Sequence, residues 1–423
     1  MYIKHLVIEN FKSHAHCEID FKPGFNLLIG DNGVGKTSIL EAASVALGGY
    51  IVGIDDVSSK HFTKDEIRLL TTAVGDGSYH KQYKTPVLVS CTAQIDDEEH
   101  TWIRRKSSVK ASRSTVEPRD ICKLANASAN DPECCLPVLN YQSAARTWVQ
   151  KKESSNRIFD DDFNRTVGYK NCLDEASDQK MLLNWCARME QISWQNDRPI
   201  AEYESVKKAL SDFMAVMNER KASEVRFDKR AMELSYIEGG NALPIRYLSA
   251  GYQSVVWMVL DIAYRMAVLN PNLKEKAAQS AGVVLIDEPD MHLHPKWQWR
   301  IIKALQTVFP NVQFVAATHS PILIASCKNG HLIRVDRDEI SYGRTDYGME
   351  INDVLISTQG SEAMDKSIKR QIDAIYKLID DGEITEAESK TAELEQVLGR
   401  EHTELVKINT ALAFEKSILG DKA

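Results

Sequence analysis

An α/β protein with a mixed sheet, an inserted α-helical lobe and an α-helical tail is predicted by three features of the sequence. The stretch Gly30 to Ser38, Gly-Asp-Asn-Gly-Val-Gly-Lys-Thr-Ser, stands between an apolar run (Phe25, Leu27, Leu28, Ile29) and a helical pattern (Ile39, Leu40, Ala43, Leu47). That is the strand, loop, helix order of a phosphate-binding G-x-x-x-x-G-K-[ST] loop. Val283 to Ile286 and Val312 to Ala316 are short apolar runs of the kind buried on both faces of a parallel sheet, with a helical stretch, Trp297 to Val308, between them. From Val149 to about Pro244, and again beyond Ile351, the apolar spacing is helical.

Taken in order, residues 1 to 29 alternate apolar and polar (Ile3, Leu6, Ile8, Phe11; Ile19, Phe21; Phe25, Leu27, Ile29), with turn chemistry at Lys22-Pro23-Gly24. Two or three strands therefore deliver the chain to Gly30. Ser58 to Thr72 reads as a loop running into a short segment. Val87 to Ile95 alternates, a charged turn follows at Asp96 to His100, and Trp102-Ile103 completes an antiparallel hairpin. Leu136 to Tyr141 is strand-like. The insertion is expected to be helical throughout, carried by Leu182, Leu183, Cys186 and Met189, then Val206, Leu210, Phe213 and Met217. Leu332, Ile333 and Val335 suggest one more strand. In the tail, Met364, Ile368, Ile372, Ile375 and Ile379 share a helix face that Asp381-Gly382 breaks.

Composition narrows the class. The 423 residues, 43% hydrophobic and 26% charged, are ordinary for a soluble globular chain with two or three cores. A formal net charge of -8 argues against coating nucleic acid through bulk charge. The eight cysteines form no C-x-x-C pair, so neither zinc nor a disulfide framework is suggested. No leader pattern opens the chain and no apolar stretch approaches a membrane span, so a cytoplasmic, reducing setting without membrane contact is expected.

Chemistry concentrates in four places. Glycines at 30, 33 and 35 let successive N–H groups turn toward one anion, Lys36 can reach the β- and γ-phosphates, and Thr37 can ligate Mg²⁺. The strand Val283 to Ile286 ends in Asp287 and Glu288, the first suited to the Mg²⁺ shell opposite Thr37 and the second to polarising a water. Tyr247-Leu248-Ser249-Ala250-Gly251-Tyr252-Gln253 opens a long apolar helix and reads either as an ordinary N-cap or as an anion site. Thr318-His319-Ser320-Pro321 follows the strand ending at Ala316 and can place His319 near a γ-phosphate. His292 and His294, two residues apart, read as structural rather than metal-binding.

In this combination and order, the motifs resemble the ABC-type ATPase heads of the RecF, Rad50 and SMC group, over residues 1 to about 335. Ile8 to Ser13 and Phe25 to Gly30 are similar to that group's opening strands, Gly30 to Thr37 to its Walker A and Leu248 to Gln253 to a variant of its LSGGQ signature. Leu285 to Glu288 resembles its Walker B, Asp290 to Pro295 its D-loop and His319 its switch histidine. Ala250 and Tyr252 stand where the signature prefers glycines. The resemblance implies ATP with Mg²⁺, held by Lys12, Ser13, Asn32, Gly33, Gly35, Lys36, Thr37 and Ser38. It implies Thr37, Asp287 and Gln142 at the metal, and Glu288, His319 and Gln142 as catalytic residues, Gln142 being favoured over Gln94 and Gln150 as the Q-loop glutamine. Ser249, Gly251 and Gln253 would reach in trans across a head-to-head dimer, or a higher oligomer. Residues 1–148 and 246–350 would be the two parts of the head, 149–245 the insertion and 351–423 an interaction module.

The insertion is too short for the long coiled coil of Rad50 and SMC proteins, and the tail shows no Toprim carboxylate cluster, so no nuclease of its own is expected. His61 to Arg68, Leu136 to Arg146, Gly168-Tyr169, Cys172 to Asp174, Trp185 and the tail Ile375 to Leu412 resemble PtuA-type ATPases of Septu and retron-associated antiphage systems. That implies a partner HNH endonuclease of the PtuB type, with a retron reverse transcriptase and its msDNA as further candidates. Two alternatives stand: a RecF-like DNA repair clamp, whose DNA contact would be the basic stretch Arg104 to Arg119, and a switch that binds ATP but barely hydrolyses it.

Overall fold

The computed structural model describes residues 1–74, 78–147, 164–176, 178–219, 223–228, 231, 233–343, 345–360 and 364–420. The chain divides into two compact units, Met1–Ile351 and Asn352–Ala423. In the first, β1 (Tyr2–Phe11) and β2 (His14–Asp20) form a hairpin, and β3 (Phe25–Ile29) runs through the glycine loop into α1 (Lys36–Ile51). β4 (Leu69–Val74) and β5 (Ser78–Tyr83) pair with each other, and β6 (Val87–Ile95) and β7 (Glu98–Lys106) form the expected hairpin. β8 (Thr115–Glu117), α2 (Asp120–Asn130), β9 (Val138–Gln142), α3 (Gln179–Gln195) and α4 (Ala201–Asn218) follow. Next come β10 (Ser223–Asp228), β11 (Glu233–Glu238), β12 (Asn241–Pro244), α5 (Ala250–Leu269) and β13 (Gly282–Asp287). α6 (Pro295–Val308), β14 (Val312–Ala317), α7 (Pro321–Ser326), β15 (His331–Asp336) and β16 (Glu339–Gly343) complete it.

Two sheets enclose α1. A six-stranded mixed sheet has the order β16-β15-β3-β14-β13-β9, parallel except for the β15–β16 hairpin, and a five-stranded antiparallel sheet has the order β2-β1-β6-β7-β8. Every residue of β3, β9, β13 and β14 is buried, as unbroken apolar runs require when both faces are covered. α1 is apolar on nearly every side because it packs on both sheets, and Trp102 of β7 donates from its indole N–H to the Ala46 carbonyl at 2.8 Å. The parallel strands share one C-terminal edge. The loop after β3, Asp287 at the end of β13 and His319 after β14 therefore meet there.

One expectation is corrected. The insertion is not wholly helical: Ser223–Asp228, Glu233–Glu238 and Asn241–Pro244 pair as the antiparallel meander β10-β11-β12. Val225, Phe227, Leu234 and Tyr236 bury one alternating face, and Gly239 and Gly240, with φ of 57° and 83°, make the tight turn between β11 and β12. The Val149 start of the insertion, together with Gln150, lies outside the described residues.

The second unit holds helices Lys366–Asp380, Ile384–Leu398 and Thr403–Gly420 around Ile372, Ile375, Ile379, Ala387, Leu394, Leu405, Ile408 and Leu412. Asp365 caps the first by accepting from the Ser367 and Ile368 amides, and Gly382, at φ 76°, makes the break after it. Among the described residues no helix is long and apolar enough to cross a membrane.

Candidate nucleotide-binding site

The loop between β3 and α1 is shaped by its glycines. Gly30, Gly33 and Gly35 have φ of 147°, 81° and 108°. A Cβ on Gly30 would lie 2.2 Å from the Val335 carbonyl oxygen and one on Gly35 would lie 2.3 Å from the ring of His14, whereas one on Gly33 would meet nothing within 4 Å. The first and last glycines are thus required by what lies behind the loop, and the middle one by backbone conformation alone. Asn32 and Thr37 are exposed, and Ser38 is half-buried in the first turn of α1.

Lys36 is folded back into the loop, its Nζ donating to the carbonyl oxygens of Gly30 (2.8 Å) and Asp31 (2.9 Å) and meeting His319 Nε2 at 2.6 Å. Burial, and then the positive Lys36, hold His319 below its usual range, so a neutral ring accepts this hydrogen bond. The Thr37 hydroxyl donates to both carboxylate oxygens of Asp287, at 3.2 and 3.1 Å. Burial raises the Asp287 carboxyl, partly offset by that hydrogen bond and by Arg146, Lys36 and Lys12.

Glu288 stands one residue on, with a φ of 47°, its amide donating to the Ala317 carbonyl at 3.0 Å and its Oε1 3.8 Å from His319 Nε2. Burial, reinforced by Asp290 and Asp287, pushes its carboxyl up to about 7. A hydroxyl, a carboxylate and a glycine cradle open to an anion fit ATP with Mg²⁺: the metal would rest on Thr37 and Asp287 with phosphate oxygens completing the shell. Among the described residues no group of three or more His, Cys, Asp or Glu could hold a metal alone.

The other predicted residues divide. Gln142 ends β9 beside β13, in register with Ile286, and its Nε2 donates to Asn140 Oδ1 at 2.7 Å and Asp261 Oδ2 at 2.8 Å. Its nitrogen is therefore held by α5. Lys12, at φ 46°, pairs with Glu41 of α1, and the Ser13 hydroxyl stands beside Gly35. Ser249 is the exposed N-cap of α5 and makes no cap hydrogen bond to its own helix. Gly251 lies under the D-loop-like segment, where a Cβ would come 2.5 Å from the His292 carbonyl oxygen. The Gln253 amide donates to the Leu248 and Arg246 carbonyls and so braces the helix start. Ser249, Gly251 and Tyr252 line a cavity of about 420 Å³ with His292 and Trp297, and no residue of the phosphate loop takes part in it. The ring of Tyr252 lies 4.0 Å from that of Trp297, which accounts for an aromatic at this place in the motif.

Sequence reasoning missed two residues of the site. Fully buried His14 contacts the Gly35 carbonyl through Nε2 at 3.1 Å and Asp338 through Nδ1 at 3.3 Å, which ties the loop to the β15–β16 turn. Arg146 reaches the carbonyls of Asp287 and Glu288. His14 belongs to no local motif, and Arg146 closes the stretch Leu136 to Arg146 with no local pattern that marks its contacts. The basic stretch is also revised: Arg104 is fully buried, donating to the Lys60 carbonyl at 2.7 Å, and Lys106 donates to that of Phe62 at 3.0 Å. Of the cations in that stretch only Arg105, Lys110, Arg113 and Arg119 are exposed.

Comparison with known proteins matches residues 5–219 to a family model described as AAA domain, and residues 190–325 to one described as AAA domain, putative AbiEii toxin, Type IV TA system. The chain is 23% identical over 357 residues to a retron Vc95 probable ATPase of Vibrio cholerae serotype O1 biovar El Tor, covering 71% of this chain and 66% of that protein. It is 26% identical over 339 residues to the Septu protein PtuA of Bacillus mycoides, covering 78% of this chain and 40% of that one. The chain thus spans two thirds or less of the length of either relative. Among solved structures, an SMC head bound to the C-winged helix domain of ScpA is similar at a TM-score of 0.49 and 16% identity, over 81% of this chain and 98% of that one.

Proposed function

From its membership of the AAA-domain family we propose that the chain is an ABC-type ATPase of the RecF, Rad50 and SMC group, akin to Septu PtuA and retron ATPases, that hydrolyses ATP in composite sites between two copies to govern a partner nuclease in antiphage defence. The observation that carries the proposal is the meeting of Lys36, Thr37, Asp287, Glu288 and His319 at one strand edge. Residues 1–148 and 246–350 supply the head, 149–245 the insertion, and 351–423 a candidate docking module.

Loop amides and Lys36 take the β- and γ-phosphates, Lys36 exchanging its carbonyl partners for phosphate oxygens. Thr37 and Asp287 would hold Mg²⁺, whose charge would offset that of the phosphates. Glu288 accepts the proton of the attacking water, for which a carboxyl poised near neutrality is suited, and His319 orients the γ-phosphate. For Gln142 to reach the metal and the attacking water, its side chain would have to leave Asn140 and Asp261. Ser249 and Gly251 sit on a face of their own, apart from the loop, which supports a role toward the partner copy's nucleotide. ATP then favours the closed pair and hydrolysis releases it. The nuclease in this reading is a separate HNH endonuclease, with retron components as further partners.

The test is turnover and mass in solution. Wild type is expected to hydrolyse ATP, Glu288→Gln to be slower by at least ~100-fold, and Glu288→Gln with ATP and Mg²⁺ to shift from monomer to dimer or beyond, a shift that Ser249→Arg abolishes. Equal turnover in wild type and Glu288→Gln would refute the enzymatic role. The RecF-like alternative keeps only four exposed cations of the Arg104 to Arg119 stretch. It requires DNA affinity whose salt slope falls when they are replaced by glutamine.

A further inference from the structure

Arg146 lies in the short helical turn Ala144–Thr147 after β9 and has no part in holding nucleotide in the reading above. It is 6% exposed, and its planar head spans two strand ends. Nη1 donates to the carbonyl oxygens of Ser143 at 2.9 Å and Asp287 at 2.8 Å, while Nη2 donates to that of Glu288 at 3.2 Å. Glu288 needs such support. Its φ of 47° is left-handed, uncommon for a residue with a side chain, and Pro289 behind it favours extended backbone instead. A conformation of this kind persists only when its surroundings fix it.

Those surroundings are three. The Glu288 amide is bound to the Ala317 carbonyl of β14 at 3.0 Å, and its carbonyl is shared by the Met291 amide at 3.2 Å, within the same turn, and by Arg146, the one side chain of the three. Together they fix the peptides on either side of its Cα, and hence the direction of its side chain toward His319 and the loop. We infer that Arg146 is a positioning residue for hydrolysis, its guanidinium fork holding the Asp287-Glu288 turn so that the Glu288 carboxylate faces the phosphate loop. The inference rests on the hydrolytic reading of Glu288. A lysine offers a point charge on a flexible stem and cannot bridge these carbonyls as a fork does. Burial lowers Arg146 to about 10, which still leaves it charged at neutral pH, and Asp287 and Asp290 favour that charge.

The experiment compares wild type, Glu288→Gln, Arg146→Lys and Arg146→Ala as purified full-length proteins. Arg146→Lys is expected to bind a fluorescent ATP analogue within ~3-fold of wild type and keep KM, while kcat falls ~30-fold or more. Arg146→Ala is expected to regain at least ~10-fold in kcat with millimolar guanidinium ion, which can enter the cavity of about 250 Å³ that Arg146 lines. Arg146→Lys turning over within ~2-fold of wild type, with Glu288→Gln inactive, overturns the inference alone. So does a parallel loss of affinity, melting temperature and kcat without guanidinium rescue, which marks a purely structural staple. Wild type no faster than Glu288→Gln overturns the hydrolytic reading as well.

Discussion

Lys36 Nζ and His319 Nε2 stand 2.6 Å apart, so the cation of the phosphate loop is held by the histidine from the next strand end as well as by two carbonyls of its own loop. Nucleotide must displace these contacts. Lys36→Ala is expected to weaken ATP by ~100-fold or more, since a charge-assisted contact to phosphate is lost. His319→Ala releases Lys36 while removing a group near the γ-phosphate, so binding is expected to hold or tighten as kcat falls ~10²-fold. Titration of a fluorescent ATP analogue beside steady-state turnover separates the two.

Glu288 predicts a pH dependence with a defined sign. As a base it must be ionised, so kcat/KM is expected to fall tenfold per unit of pH below about 7 and to level off above it. Its raised folded value also means that its contribution to stability is full below the ordinary carboxylate range and is lost as pH rises through about 7. Glu288→Gln should therefore gain stability over wild type between pH 5 and pH 8, reaching about 2 kcal/mol. Melting curves of the nucleotide-free proteins at both pH values check this.

Gly33 and Gly35 should respond differently to alanine. Gly35→Ala drives a methyl into His14 and is expected to cost at least ~2 kcal/mol, seen as a lower denaturant midpoint. Gly33→Ala meets open space and carries only the strain of its φ of 81°, about 1 kcal/mol. It should fold while binding ATP more weakly.

Arg104 is expected to act on stability rather than on DNA. It has no exposure and a hydrogen bond to the Lys60 carbonyl, so Arg104→Ala should lower the melting temperature by removing buried packing and leaving that carbonyl only the longer contact from the Ser59 hydroxyl at 3.3 Å. Replacing Arg105, Lys110, Arg113 and Arg119 with glutamine should leave melting unchanged within ~0.5 kcal/mol each. A filter-binding titration at two salt concentrations reports whether those four contact phosphate.

The phosphate loop, the Asp287-Glu288 strand end and the buried parallel strands were legible in the residues alone. Each is a local pattern in which the residue types and their spacing are the physical requirement. The Gly239-Gly240 turn and the alternation of Val225 and Phe227 were equally local, yet the neighbouring helices masked them. Tertiary structure alone decided that His14 backs Gly35, that Arg146 clasps Glu288 and that Arg104 and Lys106 point inward. Those contacts join residues far apart in the chain, and nothing in a window of sequence records which strand end will lie beside which. A buried arginine and a solvated one are spelled alike; only the packing around them sets the cost of their charge.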